Sequence, residues 1–222
     1  MKLKGNYFGP EYLNFDVKGG MLNNTGGTRL IALSEDFLLG FRKALLEETG
    51  QAHHVVFETC GRTWGENLAR RLEREISAYY EQPFRELPMS MFTLMLQECW
   101  IRHGWGELSV GWEAGHQDGL FAIKIENPAF SAIFSSSPDP DAPAGTPFDD
   151  DVFTGLLASL FTRFAARELQ CIQIGHQRKT EQDPLTSYFV VGVPERLKPT
   201  AEWVRSGLSH EEIMSRLQEV SV

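Results

Sequence analysis

The chain has 222 residues, 42% of them hydrophobic, which is enough for one substantial core or two small ones. A formal net charge of -9 and a pI near 5.2 oppose a phosphate backbone, whose binding rests on clustered Lys and Arg that release counterions, so nucleic acid is not expected as a partner. No run of about 18 apolar residues could span a bilayer, and the start lacks the apolar stretch of a secretory signal, so a cytoplasmic protein without a transmembrane segment is expected.

Residues 1–28 carry Gly19-Gly20, Asn23-Asn24 and Gly26-Gly27, which tolerate positive φ, and read as an irregular arm in which turns interrupt any short strands. From Ser34 a helix is expected: Ser34 can cap it, Glu35 and Asp36 suit its positive end, Phe37, Phe41 and Leu45 recur every four residues, and Gly50 stops it. A short apolar strand at 54–57 precedes a second helix that opens near Gly61 and lines up Trp64, Leu68, Leu72 and Ile76. After Pro88 a third helix carries Phe92, Leu96, Cys99 and Trp100 and ends before Gly104.

Residues 107–112 and 120–126 read as a hairpin with one buried face, because Phe121, Ile123 and Ile125 alternate with Ala122, Lys124 and Glu126. Segment 135–150 holds Pro138, Pro140, Pro143 and Pro147 among Ser, Asp and Gly and reads as an exposed, mobile loop. A fourth helix starts at the acidic triplet 149–151, which capping and solvation explain better than a hard-cation site, and runs through Phe153, Leu156, Leu157, Leu160 and Phe164 to about Arg167. Strands at 169–174 and 187–193 should extend the hairpin into one sheet. Ser209 with Glu212 forms a capping box before a last helix bearing Ile213, Leu217 and Val220. The fold class is α+β: an antiparallel sheet packed against a helical layer, whose other face must be covered or must meet a partner.

The order of these elements resembles the 4-vinyl reductase domain family. The residues that carry the likeness are Leu45 through Glu48, Thr49 and Gly50, then Gly61 and Gly65, and finally Glu168, Cys171 and Gly175. The match covers roughly 29–193, leaving the arm 1–28 and a C-terminal extension, 194–222, with its amphipathic helix. The resemblance implies the fold of Golgi transport-particle subunits and haem nitric-oxide sensors, also carried by phenol-sensing bacterial activators, with ligand binding and homodimer formation as the recurring properties. Stand-alone cyanobacterial relatives associate with photosystem assembly, so a photosynthetic role, a tetrapyrrole ligand and a peripheral position at the thylakoid membrane are what the resemblance implies. Metal-binding members join a Glu-x-x-Cys step to two further cysteines in a tetrahedral zinc site. This chain keeps only Glu168 and Cys171: segment 146–151 has no cysteine, and the later position falls at Ser187 beyond an insertion at 176–186. The zinc site is therefore expected to be lost. His176 is the one candidate replacement ligand, and the preferred reading packs Cys171 as a small apolar residue while Glu168 caps or pairs locally.

Cys60, Cys99 and Cys171 lie far apart, which fits buried thiols in a reducing compartment, and at least one must be unpaired. Cys60 precedes Gly61 at the expected helix start, where a dipole could favour its thiolate, although no Cys-x-x-Cys partner follows. His53 and His54, adjacent on a strand, would point to opposite faces and could not share one ion, and nothing joins His103 to His116. Trp64, Trp100, Trp105 and Trp112 are the ligand-pocket candidates, with simple core packing as the competing reading. No phosphate loop, nucleophile elbow or paired-His zinc helix is present, so no catalytic residue is assigned. The leading expectation is a non-catalytic binding or assembly protein. The alternatives are an enzyme subunit in chlorophyll vinyl-group reduction, and a structural subunit docking through its terminal helix.

Overall fold

The computed structural model describes residues 5–112, 119–135, 150–178, 180 and 183–219. The glycine and asparagine turns near the start separate three short antiparallel strands, β1 (Leu13–Asp16), β2 (Met21–Asn24) and β3 (Arg29–Leu30). Tyr7, Phe8 and Tyr12, just ahead of them, are buried in the main core, so the region expected as an irregular arm is an ordered cap. Helix α1 (Glu35–Thr49) keeps its acidic first turn, but Ser34 makes no side-chain capping bond, and Phe37 and Phe41 stay largely exposed.

Helix α2 (His53–Tyr80) runs unbroken through the residues expected as a strand. Val55 and Val56 have the β-branched look of a strand, yet Phe57, Gly61, Gly65, Leu68, Leu72 and Ile76 are all buried, and that stripe of three- and four-residue steps carries the helix upstream. Gly61 and Gly65 thus lie inside the helix and not at its opening. Helix α3 (Met89–His103) follows as expected and ends at Gly104 in the left-handed conformation. Next come β4 (Glu107–Gly111) and β5 (Phe121–Glu126), the turn between them falling mostly outside the described residues. A short helix not expected from the residue pattern, α4 (Ala129–Phe134), leads toward the proline-rich segment, of which only Ser135 and Asp150 are described.

Helix α5 (Asp151–Ala165) is the centre of the fold. Val152, Phe153, Gly155, Leu156, Leu157, Ala158, Leu160 and Phe161 are all buried, so apolar residues surround its axis because it lies between α2 and the sheet. Strands β6 (Gln170–Gln177) and β7 (Thr186–Gly192) complete an antiparallel sheet in the order β4-β5-β7-β6. Ile123 sits opposite both Val110 and Phe189, and the β6-β7 register breaks between Gln173 and Gly175. Phe121, Ile123, Ile125, Phe189, Val191 and Cys171 face the helices.

The β6-β7 part of the other face of the sheet is covered by this chain's own C-terminal part. Helices α6 (Pro194–Leu197), α7 (Thr200–Arg205) and α8 (His210–Glu219) close over it, burying Ile174, Val190, Leu197, Ile213 and Leu217 together. The capping box forms: the Ser209 amide donates to Glu212 at 2.8 Å, and the Glu212 amide donates to the Ser209 hydroxyl at 3.2 Å. Buried Arg196 donates to the Leu217 carbonyl at 2.7 Å, satisfying an acceptor in the last turn. Among the described residues no helix is long and apolar enough to cross a membrane.

Candidate functional site

Three of the four candidate tryptophans meet. Trp64 on α2 stands edge-on to Trp105 at 4.7 Å between centroids, and Trp105 stands edge-on to Trp100 at 5.3 Å. Trp100 is fully buried beside Phe153, so this group fills core. Trp112 lies apart from it, just past β4, against Phe92, Phe121 and Phe161.

That second aromatic group walls a cavity of about 260 Å³. Its rings come from separate stretches of chain: Phe84 after α2, Phe92 on α3, Phe121 on β5, and Phe161 and Phe164 on α5. Neighbouring pairs lie 4.8 to 6.4 Å apart, at tilted or edge-to-face angles that favour aromatic contact. Leu169 closes one side, while Arg85 and half-exposed Met89 open the wall to solvent. The Trp112 indole N–H is spent on the Thr93 hydroxyl at 2.8 Å, which fixes the ring and leaves its face to the cavity. A cavity of roughly 150 Å³ already admits benzene, so this one has room for a substituted single ring. A wider groove, about 400 Å³, crosses the outer sheet face beside Tyr188 and His210, but its floor of Gly111 and Ala122 offers less apolar surface than the ring-walled cavity.

His53, His54, His103, Cys99 and Cys171 are each packed or hydrogen-bonded in place. His53 and His54 occupy the first turn of α2 with ring centroids 3.9 Å apart, contrary to the opposed faces of a strand. Each has its own partner: His53 donates to the Gly50 carbonyl at 2.8 Å, and His54 Nδ1 lies 2.6 Å from Asp151. His103 stacks on Trp105, donates from Nδ1 to the Cys99 carbonyl at 2.7 Å, and has the Tyr12 hydroxyl 3.3 Å from Nε2. Burial lowers its pKa, which favours the neutral ring. His116 falls outside the described residues. Cys60 is exposed and well inside α2, away from the helix end on which the thiolate argument depended. Burial pushes the Cys171 thiol well up, and burial likewise raises Cys99 to about 12. Glu168 and His176 are exposed on either side of Cys171, and among the described residues no three His, Cys, Asp or Glu side chains gather as a metal set.

Asp150 corrects the picture of a solvated acidic triplet. It is fully buried, and it accepts hydrogen bonds from the Ser131 amide at 3.2 Å, the Ser131 hydroxyl at 2.6 Å and the Ser187 hydroxyl. It thereby ties α4, β7 and the start of α5. Burial raises its carboxyl to about 6 despite those donors. The folded value exceeds the unfolded 3.8, so this stabilising contribution is complete below that pH and is lost as pH rises through about 6. Asp150→Asn should remove this dependence, so the stability difference between the two proteins shifts by about 2 kcal/mol between about pH 4 and 6 in urea titrations. The lowered histidines titrate in both proteins and cancel in the difference; parallel curves would refute the assignment.

No family model matches the chain, and no curated protein matches it. Among solved structures, it is similar to the phenol-responsive sensory domain of the transcription activator PoxR, crystallised with phenol. The TM-score is 0.61 at 13% identity, over 87% of this chain and 90% of that one. The likeness is one of fold. It agrees with the architecture implied by the resemblance, an antiparallel sheet against a helical layer.

Proposed function

We propose that this chain is a non-catalytic ligand-binding domain of the 4-vinyl reductase type, which holds one compact apolar molecule in the cavity around Trp112. The observation that carries the reading is a solvent-reaching cavity of about 260 Å³ walled by aromatic rings, in a fold shared with a sensory domain that was crystallised with phenol. Among the described residues the wall presents ring faces, aliphatic groups and Arg85 and no paired acid and base, which suits retention better than turnover. A tetrapyrrole needs more room than this, since pockets for drug-sized ligands span about 300–1,000 Å³, so a single-ring ligand is favoured over the porphyrin class. Attachment to a photosystem complex, or to a second copy of this chain, is the partner half of the proposal. It is supported by Phe37 and Phe41, which stack at 6.4 Å and remain largely exposed on α1. Docking through the terminal helix is disfavoured because Ile213 and Leu217 are already spent on the sheet.

Titration with phenol and toluene, followed by the Trp112 indole N–H signal in NMR, tests the reading. A saturable shift of that signal is expected, and Leu87→Trp, placed at the half-buried rim, should abolish it. Saturation by a porphyrin with no response to either single ring would overturn the compact-ligand assignment, and no response to any of the three would overturn the cavity itself.

A further inference from the structure

We infer that the ligand of this cavity is an anion: a single-ring aryl carboxylate whose ring lies among Phe92, Trp112 and Phe161 while its carboxylate meets Arg85. The inference rests on the cavity being a ligand site and adds the class of molecule. Arg85 is the only charged side chain among the described residues that line the cavity. Arg85 also has no acidic partner within 4.0 Å among the described residues. In a chain of net charge -9, a guanidinium with no acidic partner among the described residues, at the rim of an apolar chamber, is a local attraction for an anion that most of the surface would repel.

The rest of the wall leaves few alternatives for a polar ligand group. The Trp112 N–H is already donated to Thr93, and Met89, Leu87 and Leu169 bring only apolar surface. Ala165 is the last residue of α5, whose open carbonyls carry about half a negative charge spread over the final turn. A full guanidinium charge with planar, forked donors outweighs that partial charge for a carboxylate within hydrogen-bonding reach. The ring then takes the apolar depth and the carboxylate the open side, so the acid is never buried without a partner.

Calorimetric titration of benzoate against toluene, in the intact chain and in Arg85→Gln, separates this inference from the one beneath it. Arg85 is exposed, so the substitution leaves the core intact. Benzoate is expected to bind about fivefold or more tightly than toluene, and added salt should erode that margin. Arg85→Gln should remove the margin and leave toluene binding unchanged. Toluene binding with no benzoate preference, or a preference that survives Arg85→Gln, would overturn the carboxylate assignment while the cavity stands. Binding of neither would fail the cavity, and the inference with it.

Discussion

Gly155→Ala should cost the protein about 3 kcal/mol or more in denaturant titrations, or abolish cooperative folding. The reason is the crossing of α2 and α5, where backbone meets backbone. A Cβ on Gly155 would stand 2.1 Å from the Glu58 carbonyl oxygen, and Cβ atoms on Gly61 and Gly65 would stand 2.1 and 2.3 Å from the carbonyl oxygens of Val152 and Leu156. Carbonyl oxygens in packed helices cannot swing aside as a flexible side chain would, so the helices must separate and the sheet packed on α5 must follow. Gly40→Ala is the matched control, because nothing lies within 4 Å of a Cβ there and α1 is exposed at that point. It should stabilise by roughly 0.5–1 kcal/mol, the usual gain on removing a helical glycine. If both substitutions behaved alike, the close crossing would be wrong.

The same glycines explain where the sequence misleads. A glycine within a helical pattern normally signals weakness or an end, and Gly61, following Val55 and Val56, reads as the opening of a new helix. Only the partner helix reveals that the missing Cβ is a contact surface. Elements that stabilise themselves locally were legible: α3 between Pro88 and Gly104, the alternating β5, the apolar α5, and the capping box of α8. The short helices α4, α6 and α7 were not, because six residues or fewer carry too little periodicity and owe their form to the core beneath. The cavity was legible only in part. Trp112 stands out in the sequence as a pocket candidate, but Phe84, Phe92, Phe121, Phe161 and Phe164 converge from four other stretches of chain, and no local pattern joins them. Asp150 was hidden in a different way: a Ser-, Asp- and Pro-rich stretch reads as solvated, and its buried serine partners lie on α4 and β7.

Glu75→Ala should release the N-terminal sheet and cost about 3–5 kcal/mol. Glu75 is a buried carboxylate on α2 that accepts from the Tyr7 hydroxyl at 2.7 Å, the Asn24 side-chain amide at 2.9 Å and the Thr28 hydroxyl, with the Arg74 guanidinium 3.6 Å away. Burial and the neighbouring Glu75 push the Tyr7 pKa far up, so that hydroxyl keeps its proton and remains a donor. Deleting the carboxylate strands three donors at a site largely closed to water, and each must either find water or stay unpaired. Loosening the sheet is how they find it, because β1 to β3 have few buried side chains of their own. Glu75→Gln keeps the shape but turns one acceptor into a donor that faces other donors, so an intermediate loss is expected. Hydrogen exchange at the amides of residues 21–30 is the discriminating measurement, since it reads the sheet directly. Those amides should lose protection in Glu75→Ala before the amides of α5 do, as local opening requires. Unchanged protection there, with a stability loss below about 1 kcal/mol, would mean that the buried rings of Tyr7, Phe8 and Tyr12 hold the cap in place by packing alone.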